Sequence, residues 1–471
     1  MMEFKDSKAD VSDLVLNPFC IGCGVCAGIC RAGSLSMTVS EDGFPRPRAS
    51  MEACTACSLC IQVCPFLDHD ADEDSLAAAR YGGIEGIQHH PILGYFLGAY
   101  VGHVADEAAR LRSASGGLAT WLLVRLLEEK WVDAVACVVP RPGDAAVRFE
   151  FRLCRTPEEV ITGSGSKYYP LDAADVIRRI LSEDGHYALI GLPCLVKGLR
   201  LASRRMPKLE KRLAFVLGLV CGRVKSRLFT DYLLRHVGRN PAEVTDVGFR
   251  SKAPGYQPAM LRVQGGGSQE QVSLPFEGSV YGGVFCSENM DADACHVCDD
   301  VFAETADAAL MDAWLPEYRK EWRGTSIVLL RTPRLRELVE AGMARGDLRL
   351  EGIAPERVVR SQGAARIKGE VLARRLGVWK HQGVLHPQKR IAPMAASRKA
   401  ILLYRWEEYR RGVFQKAMRA QVSASASGLS VFEQQMRFVR WGDRLLNLPS
   451  GFRRRLGGFW SKRQRRKEES A

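Results

Sequence analysis

Between residues 90 and 380 the chain alternates two kinds of apolar spacing. Continuous runs of strand length, WVDAVACVVP (131–140), HYALIG (186–191) and LAFVLGLVCG (213–222), are separated by stretches whose apolar residues recur every three to four positions, GLATWLLVRLLEEK (117–130) and LVKGLRLASRRM (195–206). Apolar strands alternating with amphipathic helices predict βαβ units, and hence an α/β body with a largely parallel or mixed sheet. Residues 1–68 carry no long periodic segment and are dense in cysteine, as expected for a small domain held together by metal instead of a large core. The acidic stretch that follows, residues 69–89, reads as a linker. The body is divided into a first part, 90–180, and a second, 181–380. Over residues 381–471 the pattern becomes helical and basic, with Leu402, Trp406, Tyr409, Val413 and Ala417 at helical spacing.

A length of 471 residues exceeds one ordinary core and predicts two to four domains. The longest apolar run, 213–221, is far shorter than the ~20 residues of a membrane span. The charged opening MMEFKDSKADVSD lacks the apolar centre of a secretory signal, so the expected location is the cytoplasm. Fifteen cysteines in a reducing compartment point to metal ligation before disulfides. The net charge of +13 is local, because residues 397–471 hold 18 Lys and Arg against 6 Asp and Glu, twelve of the thirteen net charges. Only the tail therefore calls for an acidic partner. A membrane surface, an acidic protein subunit, or packing on the body with a solvated charged face all satisfy it, and nucleic acid ranks last as a partner. No GxGxxG follows a strand, so a direct NAD(P)H site of the Rossmann type is unsupported.

CIGCGVCAGIC (20–30) and CTACSLCIQVC (54–64) repeat one spacing, and Pro65 follows the second run. This is the bacterial ferredoxin pattern, in which the fourth cysteine of each run serves the other cluster. Cys20, Cys23, Cys26 and Cys64 are expected to hold one [4Fe-4S] cubane, and Cys54, Cys57, Cys60 and Cys30 the second. The small residues Gly22, Gly24, Ala27, Ala56 and Ser58 let the backbone approach the sulfurs. Eight thiolates in two triplet-plus-one runs exceed the four of a zinc site. The N-terminal domain is thus expected to be an α+β, ferredoxin-like two-cluster domain.

Cys194 and Cys221 lie just past two predicted strands, about one βαβ unit apart, and so meet at the carboxyl edge of the sheet. CHVCD adds Cys295 and Cys298, which together with them would make four ligands; buried free cysteines or half of a zinc site are the alternatives. Ser115, Gly116 and Gly117 precede an amphipathic helix on which Leu118, Trp121, Leu122 and Leu126 share a side, either an ordinary cap or an anion-binding turn. GSGSKYYP (163–170) offers Ser166 and Lys167, and FRSK (249–252) offers Arg250 and Lys252.

SASGGLATWLLVRLLEE (113–129), GSGSKYYP, GLPCLVKGLR (191–200), VCGRVKS (220–226), FRSKAPGY (249–256), CHVCDD (295–300), ADAALMDAW (306–314), GTSIVLLRT (324–332) and QGAARIKGEVLARR (362–375) occur in one order over residues 90–376. This ordered set resembles the family of beta subunits of coenzyme F420 hydrogenases and dehydrogenases, whose members are iron–sulfur flavoproteins. The resemblance implies a third [4Fe-4S] cluster on Cys194, Cys221, Cys295 and Cys298, with Cys286 a substitute ligand, beside an FAD. Ser115, Gly116, Gly117, Ser166, Lys167, Arg250 and Lys252 would then contact the flavin. Cys137, inside an apolar strand, reads as packing, and Cys154 has no evident role. Met311 stands where the family usually has glycine, while Asp307, Asp312 and Trp314 are retained. The implied function is a flavin-dependent oxidoreductase linked to ferredoxin or another redox protein or subunit. It would exchange a hydride equivalent with an organic acceptor or donor such as coenzyme F420; an electron-transfer subunit without its own substrate is the alternative.

Overall fold

The computed structural model describes residues 11–67, 71–141, 148–254, 256–265, 271–384 and 386–422, with the backbone alone for 256–259 and 414–422. The chain divides into one compact unit, residues 1–395, and a second, 396–471. The first unit is a mixed α/β assembly with an N-terminal cysteine-rich lobe.

In that lobe β1 (Leu35–Val39) and β2 (Pro45–Ala49) form an antiparallel hairpin. The short helices Val25–Gly28 and Leu59–Gln62 occupy equivalent places in the two cysteine runs. Two small hairpin strands follow, β3 (Gln88–His90) and β4 (Gly94–Phe96). The body sheet is built from β5 (Gly98–Val104), β6 (Ala134–Pro140), β7 (Phe149–Cys154), β8 (Tyr187–Gly191), β9 (Leu213–Leu219), β13 (Ala308–Asp312), β14 (Ser326–Leu330) and β15 (Leu348–Gly352). These eight strands stand in the order β15-β5-β14-β13-β9-β8-β6-β7. Strands β6, β8, β9 and β13 run parallel to their neighbours in this set. They are flanked by antiparallel β14, β5 and β15 on one side and by antiparallel β7 on the other, so the sheet is mixed. The parallel strands read as unbroken apolar runs because helices cover both faces; all five residues of β8 are buried. A separate antiparallel sheet comprises β10 (Val244–Ala253), β11 (Tyr256–Gly265) and β12 (Val272–Pro275).

Three expectations change. Residues 69–89, read as a linker, contain a docked helix, Glu73–Tyr81, whose Tyr81 is fully buried. Its acids serve local bonds instead of solvent: Asp72 caps the helix by accepting from Ser75 N at 2.8 Å, and Glu73 pairs with Lys197 at 3.1 Å. The cysteine-rich lobe is not self-contained either. Val25, Ile29 and Val63 belong to one core with Ala134, Ile177, Leu189, Leu195 and Leu199 of the body. Finally, residues 386–394, assigned to the basic tail, pack within the first unit, where Met394 N donates to Ala373 O at 2.9 Å and Arg390 pairs with Glu304 at 2.8 Å. A helix, Arg398–Val422, occupies the predicted helical part of the tail, and the end of the tail lies outside the described residues. Among the described residues no helix is long and apolar enough to cross a membrane.

Candidate iron–sulfur and flavin centre

The two N-terminal cysteine loops share one backbone conformation. Gly22 and Gly24 have φ of 77° and 78°, and the residues at the same register in the second loop, Ala56 and Ser58, have φ of 52° and 58°. A side chain in this left-handed region costs about 1–2 kcal/mol per residue, so the second loop keeps the conformation against its own preference. Successive residues that turn their N–H groups inward form the concave nest that favours anions, iron–sulfur sites included. Shared strain at matching positions points to a shared ligand requirement.

Cys20, Cys23, Cys26 and Cys64 line one pocket, walled by Val25, Val63, Met37 and Phe66. Burial pushes the Cys64 thiol up to about 12, with the neighbouring Cys20 adding to it. Cys23 and Cys26 are raised well above the ordinary range, first by burial and then by Cys26 and Cys64 respectively. Four thiolates cannot ionise together in an apolar pocket without a compensating cation, and iron is the cation that a soft all-sulfur donor set selects. The residues fit a cubane. In the second set, burial and then Cys57 raise Cys60 to about 11, with Cys30 a further contributor. Burial would also raise Cys30, but Ser34 Oγ at 3.2 Å and backbone N–H groups lower it. Cys57 is exposed, so this set forms the outer end of the lobe.

In the body, Cys194 sits in the first turn of the helix Pro193–Arg205, just after β8, and Cys221 lies two residues past β9. These neighbouring parallel strands bring both thiols to the carboxyl edge of the sheet. Cys295 Sγ accepts from Val224 N at 3.2 Å, and Cys298 Sγ lies 3.4 Å from Asp300 O. Burial raises Cys221 to about 11, opposed by the nearby Lys368. Burial raises Cys194 most, then Cys23, Cys221 and Cys298. Cys194 thus feels both its three body partners' neighbourhood and the inner N-terminal set, which Cys23 joins to it. The peptide of Cys23 is tied to the body as well, since its carbonyl accepts from Ala173 N at 3.0 Å. Cys286, by contrast, is exposed at the end of the helix Val280–Cys286. Cys137 and Cys154 are buried on adjacent strands, Sγ to Sγ 3.7 Å. Among the described residues no group of three or more His, Cys, Asp or Glu is gathered as for a single metal ion.

Two buried cations in this region carry no metal-site spacing that would have flagged them. Lys368 Nζ stands 3.1 Å from Cys298 Sγ, and Lys225 pairs with Asp291 at 2.6 Å beside Cys295. Both lie in matched stretches, QGAARIKGE and VCGRVKS, and that is the one signal in the sequence that could have found them.

The seven flavin candidates share a neighbourhood. Lys252 Nζ donates to Ser115 O at 2.6 Å and to Arg110 O, while Ser166 and Arg250 both approach the Tyr168 hydroxyl. Thr120 of the helix Leu118–Glu128 meets Ser164 at 3.4 Å, which joins the 163–167 loop to that helix. Gly117 caps this helix at φ 89° without a side-chain bond. Several polar groups are already engaged. Ser115 Oγ donates to Thr325 O at 2.7 Å, Gly116 N to Ser326 Oγ at 2.8 Å, and Arg250 to Asp312 at 2.7 Å while stacking on Trp314. Lys167 directs its ammonium to the carbonyls of Gly163, Ser164 and Gly165. Burial lowers Lys167 to about 8; burial with Arg250 and Arg110 lowers Lys252 to about 7. Two of the three donors of Lys252 are used, which leaves it the candidate cation for an anionic group beside the Ser115–Gly117 turn. Met311 is buried in the core on β13, paired with Ile327 of β14.

Comparison with known proteins gives the arrangement its context. Residues 99–178 match the model for the N-terminal part of the coenzyme F420 hydrogenase/dehydrogenase beta subunit, and residues 184–356 the model for its C terminus; the two together span more than half of the chain. Residues 19–67 match a 4Fe-4S dicluster domain. The F-type subunit of the F(420)H(2) dehydrogenase of Methanosarcina mazei is 19% identical over 218 residues, 45% of this chain, so the match spans only 55% of that relative. A chain in a xenon-derivatised structure of the F420-reducing [NiFe] hydrogenase complex from Methanosarcina barkeri is 16% identical with a TM-score of 0.49, covering 64% of this chain and 99% of that one. The protein belongs to the family of coenzyme F420 hydrogenase/dehydrogenase beta subunits and carries a 4Fe-4S dicluster domain at its N-terminus.

Proposed function

We propose that the protein is an iron–sulfur flavoprotein oxidoreductase that carries electrons between a redox partner and an organic acceptor or donor, a deazaflavin such as coenzyme F420 or another conjugated compound. When bound, the cubanes supply one-electron carriage and FAD the exchange of single electrons for a hydride equivalent. Cys54, Cys57, Cys60 and Cys30 form the outer ligand set, within reach of a ferredoxin or a partner subunit. Cys20, Cys23, Cys26 and Cys64 form the inner set, and Cys194, Cys221, Cys295 and Cys298 the body set. Lys252, with the Ser115–Gly117 turn, Ser166, Lys167 and Arg250, would hold the flavin and its anionic groups.

The observation that carries this reading is the mutual influence of Cys23 and Cys194 across one continuous core. Anaerobically prepared protein is expected to contain FAD and about twelve iron atoms per chain, four for each cubane. Supplied with reduced ferredoxin, it should turn over a conjugated acceptor. Colourless or zinc-loaded protein would overturn the proposal. The second reading, an electron-transfer subunit, is favoured by a relative that is itself named as a subunit of a dehydrogenase. Such a subunit would bleach its flavin without turnover.

A further inference from the structure

Most buried cations near the thiols are neutralised by carboxylates: Lys197 by Glu73, Lys225 by Asp291, Arg200 by Asp307. Lys368 is different. It is 4% exposed, and its ammonium contacts Cys298 Sγ at 3.1 Å and Asp300 O at 2.6 Å, with no carboxylate in ion-pair range among the described residues. Its electrostatic neighbours are Cys298, Cys221 and Cys295. Lys368 reaches them from a π-helical segment, Ile367–Val371, inserted between two α-helices; such bulges are frequent at functional sites. An uncompensated ammonium in the interior costs several kcal/mol, so its placement against three thiols requires negative charge there. At the N-terminal sets the cation beside Cys20 is Arg46, which Asp42 already neutralises at 3.0 Å.

We propose that Lys368 sets the reduction potential of the body cubane above those of the N-terminal pair, by holding a fixed positive charge at its Cys298 corner, and so makes the body the sink for electrons entering the chain. Reduction adds one electron, and with it one negative charge, to the cubane. The electron comes from the redox partner, no bond forms or breaks, and a cation in contact with a ligand sulfur favours the more negative state. The inference rests on the proposed body cluster.

The test is a mediated redox titration, followed by electron paramagnetic resonance, of the full chain with all its clusters, as wild type, Lys368→Gln and Lys368→Arg. The body signal is identified as the one missing from Cys194→Ala. Lys368→Gln is expected to disfavour reduction of the body cluster at least tenfold, a drop of 59 mV for one electron, while the N-terminal signals stay in place. Lys368→Arg, which keeps the charge, should recover most of the shift. An unmoved body midpoint in Lys368→Gln, an equal shift of every signal, or a Lys368→Arg protein as low as Lys368→Gln would each overturn the assignment. Should Lys368→Gln fail to hold the body cluster, Lys368→Arg decides. Full iron and a near wild-type potential uphold the role of the charge, whereas loss of the cluster there too reduces Lys368 to packing. A wild type with only about eight iron atoms per chain overturns this inference together with the body cluster; about twelve iron atoms and no shift overturn it alone.

Discussion

Replacing Asp307 by Asn removes one negative charge from a site that gathers donors from three parts of the chain. The carboxylate is 1% exposed. It accepts from Arg80 Nε at 3.0 Å, Tyr81 OH at 3.1 Å and Val216 N at 2.7 Å, and Arg200 lies 2.9 Å away. Arg80 and Tyr81 end the helix Glu73–Tyr81, so this carboxylate clamps that helix to β9 and to the helix Pro193–Arg205, which begins beside Cys194. Asn keeps the shape and can still accept from Val216. What is lost is charge, and Arg200, 5% exposed, is left without its counterion. Breaking a buried pair in this way costs about 3–5 kcal/mol. The low end applies because Arg80 is 28% exposed and retains Glu210 at 2.9 Å.

About 3 kcal/mol corresponds to about two powers of ten in the opening equilibrium of the helix. Proteolysis in the exposed turn 82–86 reads that equilibrium when reclosing is faster than cleavage. Asp307→Asn should be cut on the order of a hundredfold faster than wild type, and Glu210→Gln, at an exposed pair, within about threefold. An Asp307→Asn protein with native circular dichroism and less than a tenfold change would refute the clamp. The pH dependence follows in sign. Burial alone would raise the Asp307 carboxyl, but Arg200 and Arg80 outweigh it and hold it below the ordinary range. A depressed carboxyl contributes stability that is complete above its unfolded value, about 3.9, and is lost as pH falls through the lower folded value. The difference between wild type and Asp307→Asn should therefore be constant from pH 5 to 8 and shrink below about pH 4 in hydrogen exchange.

Cys194→Ala should lower iron from about twelve to about eight atoms per chain and leave the spectrum of the N-terminal pair intact; retention of normal cluster-dependent flavin reduction would refute the wiring. Gly24→Val should detach the cysteine-rich lobe, because at φ 78° a Cβ would stand 2.8 Å from Asp172 Cβ and 2.9 Å from Ala174 N; unchanged proteolysis of the lobe would count against that contact. Ala56→Gly should stabilise, relief of the left-handed strain exceeding the added chain entropy by about 0.5–1 kcal/mol, and faster chelator bleaching of the outer cluster would contradict it. Lys252, brought to about 7 by burial with Arg250 and Arg110, should take up a proton when the FAD phosphates bind at pH 8, with affinity falling as pH rises. Calorimetry in two buffers of different ionisation heat measures this, and no uptake would remove Lys252 from the site.

What the sequence made legible was short-range. The cysteine runs encode their loops locally, and the small residues between them, Gly22, Gly24, Ala56 and Ser58, are the four positions that fold left-handed. The parallel strands were legible for the same reason: β6, β8 and β9 lie inside the apolar runs that predicted them. The antiparallel additions β14, β5 and β15 follow from pairings distant in sequence. The acidic stretch at 69–89 misled because composition cannot show that Glu73 meets Lys197 and Arg80 meets Asp307, 124 and 227 residues apart. Lys368 needed a π-turn to bring it to a cysteine 70 residues away. Lys167 was partly legible, since carbonyls two to four residues upstream compete for any lysine on a tight loop.

Gly24 joins the two levels. Its left-handed turn shapes the loop around Cys23 and Cys26, and its missing Cβ admits the segment around Asp172 and Ala174, where Ala173 binds the Cys23 carbonyl. One residue therefore serves both the ligand loop and the seam between lobe and body. A substitution there cannot alter docking while sparing the loop, so the two effects have to be separated from the body side. Asp172→Ala leaves the loop glycine untouched and removes a carboxylate that burial holds above the ordinary range and whose Oδ1 accepts from Ala174 N at 3.1 Å. It should loosen the seam while the inner cluster keeps its iron, and loss of that iron in Asp172→Ala would mean that the loop depends on the body for its shape.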